Sequence, residues 1–287
     1  MNTRYLLPLL ACVLIASPAR AALLLYDGFD YDTGSVVGDN GGSGFNSAWQ
    51  RSSSVDVTNV NATGLTYEDS LGQDLVVEGG SLSLAANHTV SGAFRTFSAI
   101  AAPVDSLTTY WLSFIGNTVG TTGSGVTTNA ALTLRSGAND ILAIGAYGGS
   151  NNWRLEINNG LQSTSSILST TQAFVVMRID VDTRVGGQDT VAFWVNPDLG
   201  STPSLGTAAY SATAAFWDTF SLDLLRVGTE STTVDKGMII DEFRFGTTYA
   251  DVGPAVPEPG NMAVLGFGFL MLRSLLRNRR PSRSAGV

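Results

Sequence analysis

Short apolar segments separated by polar turns run along most of the chain. Segments of four to nine residues rich in Val, Ile, Leu, Phe, Trp and Thr alternate with clusters of Gly, Ser, Asn and Asp. No apolar stripe with the helical period of about 3.6 residues runs far enough for a long helix, so the pattern predicts a mostly β protein. About ten to twelve strands in one domain imply two packed sheets. The expected strands include Leu107–Ile115, Ala130–Arg135, Ile141–Ala146, Trp153–Asn158, Phe174–Asp182, Thr190–Val195, Leu222–Gly228 and Met238–Phe245.

Two of these segments indicate which side chains face the core. Within Phe174–Asp182, apolar residues alternate with polar ones, as expected for a sheet with one face in water. The predicted core face carries Val175, Met177, Ile179 and Val181. In Thr190–Val195 the core face carries Val191, Phe193 and Val195, which sends Trp194 to the opposite face. Trp194 is therefore a candidate platform for a ligand.

A pair of glycines predicts a hairpin between two further short segments. Gly79 and Gly80 join Asp74–Glu78 to Ser81–Ala85. Glycine adopts the positive φ of a tight turn without steric cost, so we expect these two segments to pair.

The N-terminus has the composition of an export signal. One arginine precedes the apolar stretch Tyr5–Ala16, which is too short to cross a bilayer core of about 30 Å as a permanent helix. Residues 19–21 (Ala-Arg-Ala) give the small-x-small pattern that signal peptidase cuts, so residues 1–21 are predicted to be a signal peptide. The alternative is a lipoprotein box at residues 9–12, although the apolar run continues beyond its cysteine.

Composition excludes several functional classes. Cys12 is the only cysteine and lies in the predicted signal peptide, so the mature chain has no disulfide, thiolate nucleophile or thiolate metal ligand. The net charge of the whole chain is −8, whereas residues 22–255 carry 9 basic and 23 acidic residues, a net charge of −14. Binding to nucleic acid needs clustered Lys and Arg, and this region has one lysine, Lys236, so no nucleic-acid partner is expected.

The C-terminus combines a proline-rich breaker, a short apolar segment and a basic end. The breaker consists of Val256, Pro257, Glu258 and Pro259. Its two prolines disfavour helix in the residues before them, so a helix begins only afterwards, over Met262–Leu276. That segment has about 15 residues against the roughly 20 needed for a comfortable span. The positively charged residues that interrupt and follow it are Arg273, Arg277, Arg279 and Arg280. The positive-inside rule places this basic end in the cytoplasm.

This arrangement resembles the PEP-CTERM sorting signal of Gram-negative bacteria over residues 256–280. The resemblance implies that an exosortase in the inner membrane cuts near the Pro-Glu-Pro element and passes the protein outward, often in species that make exopolysaccharide. It divides the C-terminus into a linker with the sorting motif (253–261), a transmembrane helix (262–276) and a basic cytoplasmic tail (277–287). Signal peptidase and exosortase are the implied processing partners. The protein is expected at the inner membrane first, and then at the cell surface or in the extracellular matrix.

Motifs near both ends of residues 22–252 carry a second resemblance. They are residues 27–31 (DGFDY), 41–45 (GGSGF), 48–49 (AW), 225–228 (LRVG) and 240–246 (IDEFRFG). Together with Val191–Pro197, a strand that ends in Asn-Pro, they resemble concanavalin A-like lectin/glucanase or laminin-G-like sandwiches of bacterial surface proteins. The resemblance implies an all-β, two-sheet antiparallel jelly-roll β-sandwich over residues 22–252. An unrelated β-sandwich or a β-solenoid is the alternative.

Catalytic residues are not apparent in the sequence. Glucanases of this kind carry three carboxylates that alternate along one strand, and no such triplet occurs here. Glu156 lacks partner carboxylates, and the adjacent Asp241 and Glu242 point to opposite faces of a strand. The single histidine, His88, has no Gly-x-Ser-x-Gly motif to serve, and one histidine cannot form a histidine-rich zinc site. The chain is therefore predicted not to be an enzyme.

Three functional hypotheses remain. The first is a non-catalytic surface or matrix protein that contacts exopolysaccharide, with Trp194, Trp153 or Tyr147 stacking on sugar rings. An exposed tryptophan on a concave sheet would distinguish it from the second hypothesis. The second is a structural or adhesive surface protein without a small ligand, in which those aromatic side chains are buried. The third is a glycosidase or polysaccharide lyase, which requires converging carboxylates or a tyrosine and an arginine in one groove.

The acidic start of the mature chain suggests a structural cation. Asp27, Asp30 and Asp32 lie within six residues, and their like charges repel unless they are solvated or neutralised. If the first and last strands pair, Asp241 approaches this cluster. Calcium suits such an all-oxygen site, and no other cofactor is expected. The alternative is that these aspartates cap turns and face water.

Overall fold

The computed structural model describes residues 23–53, 58–86, 90–120, 128–147, 150–217, 219–231 and 236–253. The predicted signal peptide, sorting motif, transmembrane helix and basic tail lie outside these residues, as does His88. No helix within the described ranges is long and apolar enough to cross a membrane.

Strands make up most of the regular secondary structure of the described residues. The strands are β1 (Leu23–Asp27), β2 (Gly34–Ser35), β3 (Gln50–Arg51), β4 (Thr58–Asn61), β5 (Ser81–Leu84), β6 (Val90–Ala101), β7 (Leu107–Val119), β8 (Thr128–Ser136), β9 (Asn139–Ala146), β10 (Asn152–Ile157), β11 (Leu161–Leu168), β12 (Ala173–Asp182), β13 (Asp189–Val195), β14 (Tyr210–Ala214), β15 (Ser221–Ser231) and β16 (Gly237–Gly246). A short 3-10 turn covers Leu205–Thr207, and a single helical turn, α1, covers Tyr249–Val252. All eight strands named from the sequence are present.

The strands form two antiparallel sheets, which confirms the predicted two-sheet β-sandwich. The nine-stranded sheet has the order β14-β13-β12-β7-β16-β5-β4-β2, with β1 paired to β16. The seven-stranded sheet has the order β11-β10-β9-β8-β15-β6-β3. Every pairing between named strands is antiparallel. The first and last strands, β1 and β16, pair.

The main core lies between the two sheets, and the predicted alternation fills it. Val175, Met177, Ile179 and Val181 on β12 belong to this core. Val191 and Phe193 on β13 join them, while Trp194 lies on the opposite face of the sheet, as predicted. Each fully buried aliphatic or aromatic side chain of this kind stabilises the fold by roughly 1.5 to 3 kcal/mol.

A second apolar cluster covers part of the outer face of the nine-stranded sheet. Phe174 and Val176 on β12, Trp111 on β7 and Trp194 on β13 are buried there against Leu75. Tyr249 and Val252 of α1 and Leu199 also pack into this cluster. The face of β12 that the alternation predicted to be wet is therefore dry at its N-terminal end, because a loop and α1 cover it.

The predicted hairpin between Asp74–Glu78 and Ser81–Ala85 is wrong. Strand β5 pairs instead with β4 and β16. The backbone of residues 74–78 hydrogen-bonds to side chains of β16: Glu78 N–H donates to Glu242, and Arg244 donates to the carbonyl of Val76. These long-range contacts compete with the local turn that the two glycines favour.

Candidate functional site

A cavity lies beside Trp194, at the end of β13. It has a volume of about 320 Å³ and is referred to below as the Trp194 pocket. Its lining residues are Ser70, Trp194, Val195, Asn196, Pro197, Asp198, Ser201, Pro203 and Thr207. A volume near 300 Å³ is at the lower end of ligand sites in proteins. Two prolines and a tryptophan give the pocket rigid apolar walls, and hydroxyl, amide and carboxylate groups line the rest.

Hydrogen bonds hold three successive residues of the pocket wall after β13. Asn196 has a φ of 55°, and its side-chain carbonyl accepts a hydrogen bond of 2.8 Å from Phe174 N–H, which fixes the end of β13 to β12. Tyr67 donates to the carbonyl of Pro197 at 2.9 Å. The hydroxyl of Tyr249 donates to the carbonyl of Asp198 at 2.6 Å. The pocket wall is therefore preorganised by contacts within the protein.

A stack of aromatic rings supports the floor of the pocket. Trp194 stacks on Trp111 with their ring centres 5.9 Å apart, and Tyr249 meets Trp111 edge-on at 5.4 Å. The indole N–H of Trp194 donates to the carbonyl of Ser204 at 3.0 Å. Trp194 is 3% exposed, so it forms a pocket wall and not an open platform.

A polar cleft lies on the outer face of the seven-stranded sheet. It has a volume of about 60 Å³ and is lined by Asn129, Ala131, Thr133, Asp140, Tyr147, Glu156, Asn159, Arg226 and Gly228. Strand register explains its composition, because Glu156, Ala143, Thr133 and Arg226 lie side by side on β10, β9, β8 and β15. A side chain at Gly228 would meet the guanidinium of Arg226 at about 2.5 Å, so glycine provides the room in which that group lies.

Two arginines outside the polar cleft contact residues that line it. Arg135 pairs with Asp140 at 2.5 Å, and Arg154 donates to the carbonyl of Tyr147 at 2.8 Å. Burial, followed by the charges of Glu156 and Asp140, raises the pKa of Tyr147 well above its usual range. Tyr147 therefore keeps its proton at neutral pH.

The three aromatic residues predicted to bind sugar occupy three different places. Trp194 lines the pocket at the end of β13, Tyr147 lines the polar cleft, and Trp153 is completely buried in the main core against Phe114. Their exposed fractions are 3%, 5% and 0%. The structure does not bring these residues together, and none of them presents an open ring face.

The four aspartates predicted to hold calcium also lie in different surroundings. Asp27 is buried and pairs with Arg95 at 2.8 Å, whereas Asp30 and Asp32 are exposed. Asp241 is buried and accepts hydrogen bonds from the backbone of Leu65 and Glu242, both at 2.7 Å. Among the residues that the structure describes, no group of three or more Asp, Glu, His or Cys side chains could hold a metal ion.

Sequence reasoning missed most of the pocket. Only Trp194 was singled out among its lining residues, and Asn196-Pro197 was noted as the end of a strand. The run of Asn196, Pro197 and Asp198 after an alternating strand is a turn signal, which predicts a loop but not a cavity. Ser70 comes from a segment more than a hundred residues earlier, and the fold alone brings it there.

No protein-family model and no curated protein matches this chain. Among solved structures, it is similar to domain 4 of AbnA, a GH43 extracellular arabinanase from Geobacillus stearothermophilus, in complex with arabinotriose. That match has 16% identity over 81% of this chain and 97% of that chain, with a TM-score of 0.46. It is also similar to an endo-β-1,4-glucuronan lyase from the fungus Trichoderma reesei, with 13% identity over 81% and 99% and a TM-score of 0.42.

A sialidase is similar at 9% identity over 65% of this chain, with a TM-score of 0.37. The chain spans 17% of that sialidase. Similarity of this extent assigns neither a ligand nor an activity to the chain.

Proposed function

We propose that this chain is a non-catalytic, exported surface or extracellular-matrix protein that contacts exopolysaccharide through the Trp194 pocket. The observation that carries the proposal is the pocket itself: about 320 Å³, with rigid apolar walls and a polar rim. Sugars present apolar ring faces and many hydroxyl groups, so they need both kinds of surface. Asn196, Asp198 and Ser201 supply donors and acceptors, and the two prolines and Trp194 supply apolar surface.

The route of the protein to the surface is proposed from its terminal sequences. The export signal at residues 1–21 and the Val256–Pro259 motif, with the basic cluster after it, support export followed by cleavage by an exosortase. The inner membrane would then hold the protein only until its C-terminal segment is removed. We also propose that the sandwich belongs to the concanavalin A-like family.

A binding screen with a blocked variant tests the glycan hypothesis. The full chain, purified in mild detergent, is applied to a glycan array and to exopolysaccharide from the host. We expect binding that Ser201→Trp abolishes, because an indole at the rim fills the pocket. Ser166→Trp is the matched control, since Ser166 is exposed on β11 in the other sheet. Absence of binding, or equal binding by Ser201→Trp, contradicts the proposal.

Burial of the named aromatic residues favours a second candidate, a structural or adhesive protein without a small ligand. Trp153 is fully enclosed in the core, and Trp194 and Tyr147 are almost fully enclosed. Such a protein would associate with itself or with other envelope proteins, and it would bind no glycan on the array. Absence of glycan binding on the array, together with cross-linking to envelope proteins, would favour this candidate.

The polar cleft meets the geometric requirement of the enzyme hypothesis, because Tyr147, Arg226, Asp140 and Glu156 line it together. We nevertheless propose no catalytic role. The cleft is about a fifth of the volume of the Trp194 pocket, and the high pKa of Tyr147 makes it a poor base at neutral pH. New reducing ends or unsaturated sugars formed from polysaccharide by the chain, and lost in Tyr147→Phe, would contradict this.

A further inference from the structure

We propose that Asp198 makes the Trp194 pocket selective for neutral sugars over uronic acids. The inference rests on the proposed function, because it assumes that the pocket contacts polysaccharide. Asp198 is the one charged group among the described residues that line the pocket. A carboxylate in this position accepts hydrogen bonds from sugar hydroxyls and repels a second carboxylate.

Hydrogen bonds hold both the carboxylate and the backbone at Asp198. One of its oxygens accepts a hydrogen bond of 2.5 Å from the hydroxyl of Ser70. The backbone carbonyl of Asp198 accepts from Tyr249, and the next residue, Leu199, donates its N–H to Asp69 at 2.8 Å. The backbone of Asp198 is therefore fixed, and its carboxylate turns away from an approaching anion only by breaking the hydrogen bond to Ser70.

The surroundings of the pocket add negative potential. Burial is the main cause that raises the pKa of Tyr67 above its usual range, and the charges of Asp69 and Asp198 raise it further. The same two carboxylates help to raise the pKa of Tyr249, for which burial is again the largest cause. Arg178 lies over the ring of Trp111, with its guanidinium carbon 5.7 Å from the ring centre, and it does not line the pocket. A ligand carboxylate in the pocket would thus meet the charge of Asp198, and no cation is among the described residues that line it.

The size of the pocket sets the expected selectivity. A cavity of about 320 Å³ is roughly 8 Å across, so a carboxylate inside it lies about 6 Å from Asp198. At an effective dielectric constant of about 40, between that of water and that of a protein surface, two like charges at this distance weaken binding roughly tenfold. Salt screens the repulsion, so the factor should fall to a few-fold at about 0.5 M ionic strength.

The test compares ligands that differ only at C6, where one carries a neutral hydroxymethyl group and the other a carboxylate. Oligosaccharides ending in glucose or galactose, and the same compounds ending in glucuronic or galacturonic acid, are titrated against the full chain at low and at high salt. We expect tighter binding of the neutral member by roughly tenfold at low salt and a smaller preference at high salt. This comparison uses the unmodified protein and does not depend on the folding of a variant.

Two variants separate the charge from the hydrogen bond. Asp198→Asn removes the charge, and we expect the preference to fall below about twofold. Ser70→Ala removes the hydrogen bond to Asp198 but keeps the charge, so the preference should persist. Equal binding of both ligands, or a preference that Asp198→Asn leaves intact, overturns this inference alone. Absence of binding to every ligand overturns the proposed function and this inference with it.

Discussion

Replacing Asp27 should lower the free energy of unfolding by several kcal/mol, although its sequence surroundings predict an exposed acidic turn. The side chain is fully buried. Its carboxylate accepts hydrogen bonds from Arg95 at 2.8 Å, from the indole N–H of Trp49 at 3.0 Å and from the hydroxyl of Tyr31 at 2.8 Å. A further bond comes from the backbone N–H of Phe29 at 3.0 Å.

The magnitude follows from what the substitution leaves behind. In Asp27→Ala the guanidinium of Arg95 stays buried between the rings of Phe45 and Trp49 without its counter-charge. Removing one partner of a buried ion pair typically costs about 3 to 5 kcal/mol. A domain of this kind has a total stability of roughly 5 to 15 kcal/mol, so the loss is a large part of it.

The assay is urea unfolding of the full chain, followed by tryptophan fluorescence. Asp30→Ala is the matched control, because Asp30 is exposed three residues away and should change stability by no more than about 0.5 kcal/mol. Arg95→Met should also destabilise, and the double variant should lose less than the sum of the single losses. A loss below about 1 kcal/mol for Asp27→Ala would refute the reasoning.

The same variants decide between the ion pair and the calcium hypothesis. Since Arg95 already neutralises Asp27, the melting temperature should not depend on calcium. The comparison is a melting series in chelator and in millimolar calcium. A rise with calcium that Asp30→Ala abolishes would establish a cation site.

Burial raises the pKa of Asp241 to about 8, so between about pH 4 and pH 8 the folded chain keeps a proton that the unfolded chain releases. Stability should therefore fall as pH rises through this window, and Asp241→Asn should flatten the fall; an unchanged slope contradicts this. Tyr249→Phe removes the hydrogen bond to Asp198 and should lower the free energy of unfolding by about 1 kcal/mol in urea titration, whereas an unchanged midpoint contradicts the role of that bond. Intact-mass measurement of the surface protein should show loss of everything after Pro257–Pro259, and detection of Val287 would contradict it.

The sequence determined the fold class and the faces of its strands. Alternation with period two places Val175, Met177, Ile179 and Val181 in the core, because successive side chains on a strand point to opposite faces. The same rule put Trp194 on the other face. These features are local, since they depend only on residues within one strand.

Predictions from local sequence patterns were wrong where groups distant in the chain bind the same atoms. The Gly79-Gly80 turn favours a hairpin, but Glu242 and Arg244 bind the backbone of residues 76–78 from a strand more than 160 residues away. Asp27 looked like part of a cation site, and Arg95, 68 residues later, neutralises it. Which charge meets which depends on strand register, and no spacing in the sequence encodes that register.

The candidate site was decided by tertiary structure for the same reason. Ser70, Trp194 and Asp198 meet because one loop and α1 fold over the outer face of the nine-stranded sheet. The sequence specified that Trp194 leaves the main core, since period-two alternation is a property of a single strand. It did not specify that Trp194 would be covered, because burial depends on what packs above it. The cluster around Trp194 joins residues from five separate parts of the chain.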